Sequence, residues 1–332
     1  MTPFRFGLAT CCLCIAASSL AGEAPPAAPA PAKAPAVSEG GEAASGETVK
    51  RPFRWPVPSS GLVYVAGKNR DKSTRSQFRI RLVADGENFV VHCDDYRFLE
   101  MDGKTFAEPT LPGAIDKSLT LKSIMPSFQV DKNGQVVGLH DYPGLLARLR
   151  DLGALGGPEV AEKNFQEMLD NPKIKRKLLG SVKEYWNLWV NGWTSGILPA
   201  PGKRISGTTT SSQLGKNLSQ PFILSSSWQE GPTGGVRLLL RFEASLQGEE
   251  YTNTLISLYS SVLQGEAADT EIAANLQNID SLEHHILNEI ITDPDTMRPY
   301  SARKQTVDES RFKNQGPIVK VQESSYTFQW DP

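Results

Sequence analysis

Cysteine and histidine are both scarce in this chain of 332 residues. There are four of each, and Cys11, Cys12 and Cys14 lie together near the start. A chain shorn of that stretch keeps Cys93 alone, so no intramolecular disulfide is open to it and stability must come from an ordinary apolar core. A basic excess is also missing. The formal net charge is -2, which removes the electrostatic pull that nucleic-acid binders use and sets that class aside. The apolar run Phe6–Ala17 is too short to cross a bilayer.

Recognisable reaction motifs are missing as well. Gly192-Trp193-Thr194-Ser195-Gly196 puts its serine one place late for a nucleophile elbow and follows a helix where the elbow follows a strand. Asp131-Lys132-Asn133-Gly134 opens like a calcium loop, but its glycine is two positions early and no glutamate closes it. His92-Cys93-Asp94-Asp95 is the one cluster with metal or acid-base chemistry in its residue types. On a strand, neighbours point to opposite faces, so His92 and Asp94 would share one side and Cys93 and Asp95 the other. His284 and His285 are adjacent, which on a helix splays them apart, and His285 with Glu289 reads as a surface pair. His140 reads as a helix-entry residue. The sequence assigns no catalytic residue, no metal ligand and no cofactor.

What is present begins with an address. Arg5, the apolar run and then Ser19-Leu20-Ala21 have the form of an export signal over residues 1–21, which implies a periplasmic or secreted protein. Residues 22–50 are Ala, Pro, Gly and Glu with almost no large apolar side chain, the composition of a disordered linker. Residues 51–332 then form a single α+β domain, with Trp55 as an early core contact.

Within that domain hairpins come first. Leu62–Ala66 reads as a strand; Phe78–Leu82 and Phe89–Cys93 flank Asp85-Gly86; and Tyr96–Met101 runs into Asp102-Gly103. Ser127–Val130 and Gln135–Leu139 flank Asn133-Gly134, a pair that readily takes the positive φ of a tight turn. Helices are expected over Asp141–Leu152, closed by Gly153, and from Gly157-Pro158 to Leu169. After a polar stretch, Pro199–Ser219, Val236–Leu246 and Tyr251–Leu263 read as a long hairpin turned by Gln247–Glu250. In Thr270–Ile291 the apolar residues keep helical spacing, which favours helix at least to Leu282, although Ile286–Thr292 reads equally as a strand. Ile318–Val321 and Tyr326–Trp330 close the chain as strand.

The central element is Asn171–Trp193. Asn171 can cap a helix and Pro172 sits where no backbone donor is needed. Ile174, Leu178, Val182, Trp186, Trp189 and Trp193 recur at three- and four-residue steps and form one stripe. At about 1.5–3 kcal/mol for each large buried side chain, that stripe far outweighs the ~1 kcal/mol cost of Gly180 in mid-helix. Gly192 would then take the left-handed position beyond its end. Trp186, Trp189 and Trp193 either fill the core or line a pocket for an apolar ligand.

The order of these elements, with Phe128–Val137 leading into helices, the Trp186/Trp193 helix, Thr292–Pro299 and the closing Tyr326–Trp330, resembles uncharacterised exported bacterial proteins. Those are similar in turn to the half-β-barrel class of lipoprotein-localisation factors and related periplasmic lipid-binding proteins. The resemblance implies a curved antiparallel sheet wrapped around a few central helices, with Ile286–Thr292 as a strand and Asp293–Pro299 as a turn. It carries over no functional residue. The expected function is a non-catalytic envelope protein that binds a lipid, an acyl chain or an envelope partner. The alternatives are an interaction module with a filled core, and a hydrolase whose site is dispersed in sequence.

Overall fold

The protein, seen here in a computed structural model, is described over residues 47–70, 72–111, 124–194, 196–213, 216–231, 234–263, 278–313 and 315–332. The stretch expected to be an export signal, 1–21, and most of that expected to be a linker, 22–50, lie outside these residues. Thr48–Val49, within the expected linker, is a short strand (β1) paired with Leu198–Pro199 (β8).

The first long strands are β2 (Ser59–Asn69), β3 (Lys72–Asp85), β4 (Asn88–Met101) and β5 (Lys104–Thr110). They are successive antiparallel neighbours, as the alternating pattern and the Asp-Gly turns imply. Asp102 and Gly103 both have positive φ, 49° and 78°, the geometry that matches the right-handed twist of paired strands. β6 (Phe128–Val130) and β7 (Val136–Leu139) form the Asn-Gly hairpin and extend the sheet from β4.

Helices α1 (Tyr142–Asp151), α2 (Pro158–Asp170) and α3 (Pro172–Trp186) follow as expected. Asp141 accepts from the Gly144 amide at 3.0 Å and Asn171 from the Lys173 amide at 2.9 Å, which satisfies helix-start donors that water would otherwise serve. The C-terminal part of α3 departs from expectation. It runs into a π-helical turn, Asn187–Asn191, and then a short helix α4 (Gly192–Thr194). Gly192 is right-handed, with φ -59°, and does not end the helix. Its glycine identity has another cause: a Cβ there would lie 2.7 Å from the Asn187 carbonyl oxygen.

Three further expectations are corrected. Part of the polar Pro199–Ser219 stretch is sheet, giving β9 (Arg204–Gln213) and the start of β10 (Lys216–Glu230). β9 is the last strand of the sheet order among the described residues. The expected strand Tyr251–Leu263 is a helix, α5 (Glu249–Leu263), with Glu249 and Glu250 in the first turn where the helix dipole favours them. The helix favoured up to Leu282 is strand from Ile279 onward: β12 (Ile279–Thr292) pairs with both β11 (Val236–Leu246) and β13 (Pro299–Phe312). Residues 270–277 of that stretch lie outside the described residues. The turn at Asp293–Pro299 and the closing strand β14 (Gln315–Trp330) are as read.

The result is one large, curved, open antiparallel sheet in the order β7-β6-β4-β3-β2-β14-β13-β12-β11-β10-β9, with β5 beside β4. The pairing of β14 with β2 joins the two ends of the described chain in mid-sheet. One sheet face supplies Val63, Ile80, Cys93, Leu240, Ile290 and Phe328 to the main core, together with Trp186, Trp189 and Trp193. The other face carries cross-strand ion pairs, among them Arg241–Glu289 and Arg303–Glu289 at 3.5 Å and Arg303–Glu323 at 3.0 Å. α1 and α2 pack a second core around Leu146 and Leu149, which Leu178 of α3 joins; α5 covers a third, around Leu246 and Leu282. Among the described residues no helix is long and apolar enough to cross a membrane.

Candidate functional site

The sequence points first to the tryptophan stripe. Trp186 and Trp189 are fully buried and Trp193 nearly so, while Ile174 and Leu178, earlier on the stripe, are half-buried. In the π-helical turn Leu188, Trp189 and Val190 are consecutive and all buried, which widens the buried face beyond a single stripe, while Asn187 and Gly192 stay exposed. Trp186 meets Trp55 and Phe128 at 5.2 Å between ring centroids, and Phe53 at 6.0 Å. Trp189 meets Tyr326 at 5.2 Å and Phe328 at 5.4 Å. Most of these pairs are edge-on or tilted, the arrangement that aromatic quadrupoles favour.

Two of the three indole nitrogens are satisfied by backbone. Trp186 donates to the Gly134 carbonyl and Trp193 to the Leu188 carbonyl, each at 2.6 Å. Trp189 Nε1 is buried without a partner among the described residues. Phenols surround this core: burial pushes the Tyr96, Tyr185 and Tyr326 hydroxyls above the usual tyrosine range, so all three stay neutral.

The His92–Asp95 cluster divides as a strand requires, with one exception. Cys93 points into the core, and burial drives its thiol far above the ordinary range, so it is not a nucleophile. Asp94 pairs with Arg81 and lies 3.8 Å from Arg148, and the His92 ring stands 5.4 Å from that of His140. Asp95 does not follow Cys93 inward. A bulge here sets Asp95 and Tyr96 against Phe78 alone, Asp95 takes φ 53°, and its side chain is exposed. His284 donates to or accepts from Asp308 at 2.6 Å across β12 and β13, and His285 lies 3.3 Å from Glu283. The expected His285–Glu289 pair does not form, because on a strand a four-residue step is an extended distance; Glu289 pairs with Arg241 and Arg303 instead. Among the described residues no group of three or more His, Cys, Asp or Glu is placed to hold a metal ion.

Among the described residues, two concavities are not lined by the tryptophans of the stripe. One, of about 620 Å³, spans β9 to β13, mainly on the ion-paired face, and is walled by Ile223, Leu287, Val307, Glu243 and His285. The other, of about 850 Å³, is a cleft at the end of the sheet where β2 and β13 begin and β14 finishes. Its walls include Val83, Tyr300, Phe328 and Trp330, with Pro56 and Pro58 beside them and Arg81 and Arg298 at hand. The Arg298 guanidinium carbon lies 5.0 Å from the centre of the Trp330 ring, whose Nε1 donates to the Pro299 carbonyl at 2.6 Å. The cleft residues are far apart in sequence. Only the closing aromatics hinted at them, and those read as an ordinary terminal strand.

No protein-family model and no curated protein matches the chain. Among solved structures, one described as lipid–protein interactions in lipovitellin aligns with 82% of this chain and 25% of that chain, at 8% identity and a TM-score of 0.38. A likeness of that size carries no argument about fold or activity.

Proposed function

We propose that this is an exported, non-catalytic binding protein of the bacterial envelope, which takes an apolar ligand, a lipid or acyl chain, in the end cleft. The observation that carries the reading is the cleft itself: about 850 Å³, walled by Tyr300, Phe328, Trp330 and Val83. That size falls in the range of small-molecule sites, and the aromatic part of the wall suits an apolar chain. In this reading the sheet wraps α3 and its π-helical turn as a half-barrel wraps a plug, in the manner of the lipoprotein-localisation class. The tryptophans then hold the frame and the cleft holds the ligand. The test is native mass spectrometry of protein recovered gently from an envelope fraction, joined to titration with medium-chain alcohols. A retained acyl-bearing mass, or saturable binding of decanol that Trp330→Ala weakens, supports the reading. Protein without such a mass that also fails to bind decanol refutes it.

A second reading, an interaction module with a solid core, is favoured by one observation: Trp186 and Trp189 have no exposed surface. It predicts that Trp186→Ala lowers stability and leaves every binding constant unchanged.

A further inference from the structure

The cleft contains more than apolar walls. Ser59 Oγ and Arg298 Nε are both buried and both without a hydrogen-bond partner among the described residues, and both residues line the cleft. A buried polar atom left unmatched is costly, and here two of them belong to residues that line one cleft.

The other charged side chains in the wall are already matched. Asp331 accepts from Arg79 at 2.8 Å and from Ser60, and the Ser60 hydrogen bond with the Arg79 charge holds its carboxyl below the usual range. Arg81 is paired with Asp94. Arg298 is the cleft's cation without a carboxylate among the described residues; its guanidinium lies over the face of Trp330.

Its position is also fixed. Asp293 Oδ1 accepts from the Thr296 amide at 2.8 Å and the Asp295 amide at 3.1 Å, while the Asp293 amide donates to the Arg298 carbonyl at 2.9 Å. Met297, buried and held at φ 61°, is clamped by Trp55, whose Nε1 donates to its carbonyl at 3.2 Å. A non-glycine residue in that conformation persists only where its surroundings hold it, and here what it holds is the approach of Arg298 to the cleft.

We propose that Arg298 and Ser59 bind the anionic end, a carboxylate or phosphate, of a ligand whose apolar part lies against Trp330 and Tyr300. Arg298 supplies charge-assisted donors and Ser59 a hydroxyl donor to an oxyanion at this end of the cleft. This rests on the proposed apolar-ligand reading and adds the head group to it.

The test is calorimetric titration of the purified protein with decanoate, with decanol as the same tail without charge, and with inorganic phosphate as charge without a tail. Decanoate is expected to bind about tenfold to a hundredfold more tightly than decanol. Arg298→Gln should bring decanoate down to the level of decanol and leave decanol unchanged, Arg298→Lys should retain part of the difference, and Ser59→Ala should weaken decanoate alone. Equal binding of decanoate and decanol, or an Arg298→Gln loss shared by both, overturns the head-group assignment while the apolar site stands. Phosphate binding that Arg298→Gln abolishes, with no gain from a tail, keeps the anion site and removes the apolar ligand. Unchanged circular dichroism and melting temperature in each variant separate these outcomes from misfolding.

Discussion

Trp186 and Gly134 are joined by a hydrogen bond of 2.6 Å from the indole Nε1 to a buried carbonyl, and this contact ties α3 to the turn between β6 and β7. The best hairpin in the sequence and its most aromatic helix are therefore locked to each other. Trp186→Phe keeps an aromatic ring but leaves the Gly134 carbonyl unmatched, at a cost of about 1–3 kcal/mol. Trp186→Ala also opens a cavity among Phe53, Trp55 and Phe128, and about 3–5 kcal/mol is expected. Urea unfolding of the two variants measures both. A phenylalanine variant as stable as the parent would show that the hydrogen bond contributes nothing.

Two glycines of the same helical region should respond in opposite directions to alanine. At Gly180 nothing lies within 4 Å of a new Cβ, so Gly180→Ala should stabilise by about 1 kcal/mol through helix propensity. At Gly192 the Cβ would lie 2.7 Å from the Asn187 carbonyl oxygen, inside the π-helical turn. Gly192→Ala should therefore destabilise by about 1–3 kcal/mol. Thermal melts of the pair decide the matter; a stabilised Gly192→Ala would mean that the turn relaxes to an ordinary helix without loss.

Cys93 is buried and its thiol is driven upward by burial, so alkylation should be blocked in the native state and rapid in denaturant. Peptide mapping after iodoacetamide treatment at neutral pH reads this directly. Rapid native labelling at Cys93 would mean that β4 opens far more often than its place in mid-sheet allows.

Turn chemistry made much of this fold readable in the sequence. Asp102-Gly103, Asn133-Gly134 and Asn171-Pro172 each impose a local geometry, and each stands where it was read. The misread elements share a cause. Leu282, Ile286 and Ile290 are four residues apart, a step that lies on one helix face and equally on one strand face, so the pattern cannot separate the two. Ile279, which breaks the two-residue period, lies across a register shift before Ser281. Tyr251 and Leu255, buried apolar residues of α5, are also four apart, and Gln247–Glu250, which resembles a hairpin turn, leads into a helix that starts at Glu249. The end cleft was hidden for another reason: Ser59, Arg298 and Trp330 meet only through the pairing of β14 with β2 and β13, which no local pattern encodes.

His92 gives the domain a pH dependence whose direction is set by its surroundings. Burial lowers its affinity for a proton, and the neighbouring Arg81, His140 and Arg148 act the same way, while Asp94 opposes them. The folded-state pKa is thus below the ordinary value of 6.5, and between the two values the unfolded chain binds more protons than the folded one. The stability that His92 contributes is therefore complete above the ordinary value and is lost as pH falls through the depressed one. His92→Asn removes the group that titrates, so its melting temperature should fall less than the parent's between about pH 7.5 and pH 5. Asp94→Asn removes the one neighbour that favours the proton, so that variant should lose more stability than the parent over the same interval. Parallel melting curves for the parent and His92→Asn across that range would place the acid sensitivity of the fold elsewhere.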